Sequence, residues 1–179
     1  MILFHGTNQI ISKIDLSKGR ARTDFGRGFY MSGKIGTAQD WSISKTLLLG
    51  GIPTVLQYEL SDDYKDLYGR RFSETPSDEW LDFVVFNRQI NFQDSDKKEP
   101  RHEYNWVSGP IADDNMNMVV KEYIAGNISK EEAISRARIL PRTFQICLHT
   151  TDSINFIDEG NVSYRQLNNG KWSRNWNKR

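Results

Sequence analysis

Three stretches carry residue types and spacings that could do chemistry. His5-Gly6-Thr7 closes the apolar run Ile2-Leu3-Phe4. Thr23-Asp24-Phe25-Gly26-Arg27-Gly28-Phe29-Tyr30-Met31-Ser32 brackets an arginine with two glycines and passes directly into an apolar strand pattern. Gln145-Ile146-Cys147-Leu148-His149-Thr150 is a third apolar run with polar groups at its ends. Gly26 and Gly28 permit backbone angles closed to other residues and let a ligand approach the main chain. Tyr30 then stands on a rigid strand beside a flexible turn. Two strand ends offering His-Gly-Thr and Gly-Phe-Tyr suit a nicotinamide–ribose pocket.

The elements that must position these residues follow from periodicity and punctuation. Strands are expected from Leu3 to Thr7, Gly28 to Met31, Thr54 to Leu60, Tyr104 to Ser108 and Phe144 to Thr150, with an edge strand from Asn161 to Leu167. Ile35, Ala38, Trp41, Lys45 and Leu48 recur near helical spacing, and Gly50-Gly51 and Pro53 end that helix. Thr75-Pro76-Ser77-Asp78 starts a second helix, whose apolar face is Trp80, Leu81, Val84 and Val85. Met116, Val119, Val120, Tyr123 and Ile124 mark a third, and Ser129-Lys130-Glu131-Glu132 is a capping box for a fourth. Gln89 to Glu103 is polar and charged and reads as an exposed loop. The order β, β, α, β, α, β, α, α, β lacks regular alternation, which favours a mixed α+β core over a doubly wound parallel sheet.

With 179 residues the default is one domain, large enough to bury a core. Residues 1–167 are expected to form it, and 168–179 a basic and aromatic tail. A net charge of +1 supplies no overall field toward nucleic acid or membrane. One cysteine excludes an internal disulfide and a multi-cysteine zinc site, and Cys147 reads as an inert core thiol. No apolar run approaches a membrane span and no secretion signal is visible, so a cytoplasmic location without membrane contact is expected.

His5-Gly6-Thr7 followed by Asp24 to Tyr30 resembles the DUF3990 family, itself similar to the ADP-ribosyltransferase superfamily. The resemblance runs from Leu3 to about Thr151 and includes Trp80 to Arg88, Gly109-Pro110-Ile111-Ala112-Asp113-Asp114 and Gln145 to Thr150. It implies an ADP-ribosyltransferase-like α+β fold with a mixed or antiparallel sheet and flanking helices. It also implies an NAD site formed by His5, Gly6, Thr7, Arg27, Gly28, Phe29 and Tyr30. In that site His5 would hydrogen-bond a ribose hydroxyl, Gly6 would present its backbone to the carboxamide, and Tyr30 would stack on the nicotinamide. Arg27 would pair with the pyrophosphate or stay a solvated loop arginine.

The superfamily's third motif usually supplies a glutamate on a later strand. Gln145 is the positional match; it can hold a hydroxyl but cannot be a general base. Asp113 would be the base, orient Arg22 or Arg27, or simply begin a helix. The expected activity is ADP-ribose transfer from NAD, as substrate, to a protein or nucleic-acid acceptor, with no metal. NAD hydrolysis and NAD or ADP-ribose binding without turnover are the alternatives. The resemblance further implies a toxin-like or phage-conflict role and a neutralising antitoxin partner. The tail Lys171-Trp172-Ser173-Arg174-Asn175-Trp176-Asn177-Lys178-Arg179 would dock its tryptophans on the domain or on a partner, or stack on single-stranded nucleic acid.

Overall fold

The computed structural model describes residues 1–88, 102–112, 114–139 and 144–179. Among them nine strands form one mixed sheet: β1 (Ile2–Thr7), β2 (Phe29–Ser32), β3 (Thr54–Glu59), β4 (Gly69–Arg71), β5 (Trp106–Pro110), β6 (Phe144–Leu148), β7 (Ser163–Asn168), β8 (Lys171–Trp172) and β9 (Asn177–Lys178). The helices are α1 (Ile35–Leu49), α2 (Asp78–Arg88), α3 (Asp114–Ile124), α4 (Lys130–Ile139) and the short α5 (Thr151–Ile154). The sheet order is β4-β5-β6-β2-β1-β3-β7-β8, with β9 also on β7. Among the described residues only β4–β5 is parallel; the other strand pairs are antiparallel. The fold is therefore α+β with a mostly antiparallel sheet, and β1 and β2 lie at its centre.

Period-two alternation splits the core between the two faces of this sheet. Leu3, Phe29, Met31, Leu56, Tyr58, Trp106, Ile146 and Leu148 share one cluster, closed over by Ile14, Leu60, Tyr64, Ile154, Ile157 and Val162. Val107 and Cys147 point the other way, into a cluster with Phe25, Phe72, Trp80, Leu81, Val84, Met116, Val120, Ala133 and Ile134. Trp80 is completely buried, and its indole Nε1–H donates to the Pro110 carbonyl at 3.1 Å. Burying such side chains contributes about 1.5–3 kcal/mol each. This is what holds α2, α3 and α4 over the β5–β6 half of the sheet.

Helix α1 covers the other half in a different way. Its expected apolar face included Lys45 and Leu48, yet both are exposed, and the buried residues are Ala38 and Ser42. Small residues let the helix approach β1 closely. A Cβ at Gly6 would fall inside the Ala38 carbonyl, so only glycine fits there.

Several boundaries differ from the sequence reading. Gly109 and Pro110 pair with Gln145 and Phe144 and so belong to β5. Strand β4 and helix α5 were not anticipated: the first has only three residues, and the second is a single turn closed by a Thr150–Ser153 capping box. β7 is interior, paired with β3 on one side and with β8 and β9 on the other. Residues expected as a tail thus extend the sheet. Trp176 stacks on Phe4 with ring centroids 5.9 Å apart, and the Arg165 guanidinium lies 4.5 Å from the Trp176 ring.

Candidate functional site

The ladder between β1 and β2 is where the first two motifs meet. Strand β1 pairs with β3 over six residues, from Ile2↔Glu59 to Thr7↔Thr54. With β2 it shares one register pair, Phe4↔Ser32. Continuing that register would set His5 against Met31 and Gly6 against Tyr30, but the ladder has opened by then. His5 bridges the opening. Its Nδ1–H donates to the Tyr30 carbonyl at 2.7 Å, and its ring stacks on Phe29 with centroids 4.4 Å apart. A carbonyl can only accept, so the proton sits on Nδ1 and Nε2 keeps its lone pair. Desolvation lowers the His5 pKa to about 4; the bond to Tyr30 opposes this and the charge of Lys45 adds to it. The imidazole is therefore neutral at pH 7, with an acceptor nitrogen at the split between two strands.

Tyr30 points to the opposite face. Its hydroxyl accepts from the Phe25 amide at 3.0 Å and lies 2.7 Å from the Gly26 carbonyl and 2.8 Å from Thr23 Oγ1. The phenol thus ties down the 23–26 turn, where Gly26 has φ +80°. Its ring lies against Phe25, centroids 6.3 Å apart. Burial pushes its pKa well up, so it remains a neutral phenol. Gly28 has no positive φ; its reason is packing. A Cβ there would collide with Cys147 Sγ, the Leu148 carbonyl and the His149 ring. The glycine-bracketed motif therefore combines one turn glycine with one close-packing glycine.

The third stretch is built around Asp24. Gln145 is 1% exposed, and its Nε2 donates to Asp24 Oδ2 at 2.8 Å. The same oxygen accepts from the Ala112 amide at 2.9 Å. Arg88 reaches the other carboxylate oxygen through Nε at 3.0 Å and through Nη2. It also bonds Asn117 Oδ1. A buried carboxylate needs such saturation, because desolvated charge is costly unless it is paired and hydrogen-bonded. Gln145 is thus committed to Asp24, and the cluster pins the 23–26 turn to α2, α3, β6 and the segment that follows β5. The sequence reading did not assign Asp24 or Arg88 a role. Asp113 lies outside the described residues.

Arg27 Nη1 donates to the Ser17 carbonyl at 2.8 Å. His102 is half-buried: its Nε2–H donates to the Phe25 carbonyl at 2.9 Å and its Nδ1 accepts from the Tyr104 amide at 3.3 Å. His149 donates Nδ1–H to the Arg27 carbonyl at 2.8 Å, while its buried Nε2 has no partner among the described residues. Desolvation, and then the nearby His102, lower the His149 pKa to about 3. Burial likewise pushes the Cys147 thiol well up, which makes it unreactive. Among the described residues no group of three or more His, Cys, Asp or Glu could hold a metal, and no helix is long and apolar enough to cross a membrane.

The architecture defines an α+β protein with a split central ladder bridged by a neutral histidine. The family described as "Protein of unknown function (DUF3990)" matches residues 1–158, and the chain belongs to it. No curated protein and no solved structure matches the chain.

Proposed function

We propose that the chain binds NAD at the opening between β1 and β2 and transfers its ADP-ribose to a macromolecular acceptor. The observation that carries this reading is His5: a neutral imidazole, fixed by its bond to the Tyr30 carbonyl, with a lone pair on Nε2 at the split. Such a nitrogen can accept from a ribose hydroxyl and hold the sugar while the glycosidic bond lengthens. The bond to nicotinamide breaks through an oxocarbenium-like state and releases a neutral base, so positioning and charge stabilisation suffice to start it. Gly6, pressed against Ala38, keeps β1 rigid at this point. The family's likeness to ADP-ribosyltransferases and its toxin-like or conflict role belong to the same proposal, as does an antitoxin partner.

A second reading is favoured by Gln145. Its amide is spent on Asp24, and the Asp24 carboxylate is spent on Arg88 and Ala112. Neither is available to activate an acceptor, which suits an NAD- or ADP-ribose-binding module without turnover. Incubation with NAD labelled in the adenylate separates the readings. Label on macromolecule supports transfer, free ADP-ribose indicates glycohydrolysis, and bound but unaltered NAD indicates the module. No binding of NAD at all would overturn both.

A further inference from the structure

We propose that the β7–β9 end of the sheet binds single-stranded nucleic acid through a stripe of alternating cations and rings centred on Arg165 and Trp172. The proposal goes beyond the NAD reading and rests on no part of it.

Strand pairing aligns the stripe. Side chains directly opposite each other in a ladder share a face, and that face returns at every second residue. Lys178 lies opposite Ser163, and Trp172 lies opposite Leu167. Continuing the β7–β9 register sets Trp176 opposite Arg165, and the Arg165 guanidinium indeed lies 4.5 Å from the Trp176 ring centroid. Residues 163, 165 and 167 alternate along β7. Lys178, the Arg165–Trp176 pair and Trp172 therefore follow one another on one face. Their separation is two strand rises, about 6.7 Å, a step that successive nucleotides of an extended single strand can follow. The pairs Ser163↔Gln57 and Gln57↔Phe4 put Phe4 on the same face, where Trp176 stacks on it. Trp176 is thus fixed in place beneath Arg165. Trp172 is half-buried, and no ring stacks on it among the described residues.

Charge follows the same stretch. Residues 160–179 hold Arg165, Lys171, Arg174, Lys178 and Arg179 and no Asp or Glu, in a chain whose other residues include more acids than bases. Among the described residues none of these five has an Asp or Glu carboxylate within 4.0 Å. Lys178 bonds the neutral Asn161 side chain, and Arg179 bonds the Ile11 and Glu159 carbonyls, so those two serve the fold. Lys171 and Arg174 are exposed, and the buried Nε of Arg165 has no partner among the described residues. Cations on an edge strand also keep other strands from pairing with it. That need explains neither Arg165, which stands on the interior strand β7, nor an indole on β8. An acidic peptide would call for the cations alone. Rings interleaved with cations suit stacked bases between paired phosphates.

Fluorescence anisotropy on the full chain tests this with labelled oligothymidylate and oligouridylate of about twelve nucleotides. A duplex of the same length and a polyglutamate competitor complete the set. Either single strand should bind and quench tryptophan fluorescence. Trp172→Ala should weaken it at least about fivefold, the loss of one stacked base. Lys171→Ala and Arg174→Ala should each reduce the slope of log K against log salt by about 0.7, one phosphate contact apiece. Lys13→Ala, an exposed control outside the stripe, should bind as wild type. Melting curves show whether each variant is folded; Lys171 and Arg174 are exposed, so their two tests stand even where Trp172→Ala disturbs the fold. A protein that binds neither single strand at low salt overturns the proposal. So does a duplex bound as tightly as the single strand, or polyglutamate competing on equal terms, either of which marks a general anion surface. Binding that keeps its strength and salt slope through all three substitutions overturns it as well.

Discussion

Replacing Gln145 by glutamate separates a residue that faces a ligand from one that holds Asp24. Gln145 Nε2 donates to Asp24 Oδ2 at 2.8 Å in a site closed to water. An ionised glutamate in its place would set two carboxylates about 3 Å apart, a repulsion of ~5 kcal/mol at an effective dielectric constant near 20. Protonation is the cheaper escape: keeping a carboxyl of ordinary pKa ~4.3 neutral at pH 7 costs ~3.7 kcal/mol. Once protonated, it can donate to Asp24 as the amide does. Gln145→Glu should therefore destabilise the protein by about 3–4 kcal/mol at pH 7 and only ~1 kcal/mol at pH 5. The sign follows from linkage. The folded variant has the raised carboxyl pKa and binds the extra proton, so its deficit against wild type grows by ~1.4 kcal/mol per pH unit above about 4.3. Urea unfolding of both proteins from pH 5 to pH 8 measures this. A difference that is small and flat with pH would refute the reasoning. It would mean that residue 145 is solvated, or turned toward a ligand site as its place in the sequence suggested.

Three further outcomes are expected. Tyr30→Phe leaves the Phe25 amide and the 23–26 turn without their hydroxyl partner. It should cost about 1–3 kcal/mol and speed amide exchange in that turn, read by melting and hydrogen exchange; a stacking role alone would leave both unchanged. Gly6→Ala drives a methyl into the Ala38 carbonyl and should destabilise by at least ~1–3 kcal/mol, read by urea unfolding; a stable variant would show that α1 moves freely on β1. His149 titrates near 3 when folded and near 6.5 when unfolded, so the unfolded chain binds more protons between those values. Stability should fall with acidification from about pH 6.5, by up to ~1.4 kcal/mol per unit from this group, and His149→Gln should flatten that slope. An identical slope in the variant would show that His149 is solvated.

Much of the fold was legible because its signals are local. Alternation in Thr54–Leu60, the proline-marked start before Asp78 and the capping box at Ser129 all act within a few residues. The miss on α1 has a physical cause. Periodicity weighs apolar residues and so finds Ala38 but not Ser42, the other small residue through which this helix docks on Gly6. Of the expected positions Ala38 is buried, while Lys45 and Leu48 face solvent. The site divides similarly. His5 and Tyr30 could be named from residue type beside glycine. The bond from His5 to the Tyr30 backbone, and the commitment of Gln145 to Asp24, join residues 25 and 121 positions apart, and no sequence spacing encodes them. Asp24 was in view within the glycine motif, but its partner Arg88 ends a helix whose sequence signal is its apolar face.

The central claim is that His5 holds the ribose of NAD, and nicotinamide release tests it most directly. The unaltered protein should release nicotinamide from NAD, alone or with a cell lysate as acceptor source. His5→Ala should melt within a few degrees of it and lose at least about tenfold in rate, as expected when a hydrogen bond to the reacting sugar is removed. Contradiction would come from an unaltered protein that neither binds NAD nor releases nicotinamide. It would come equally from a folded His5→Ala variant working within about twofold of wild type, a difference too small for a lost ribose contact.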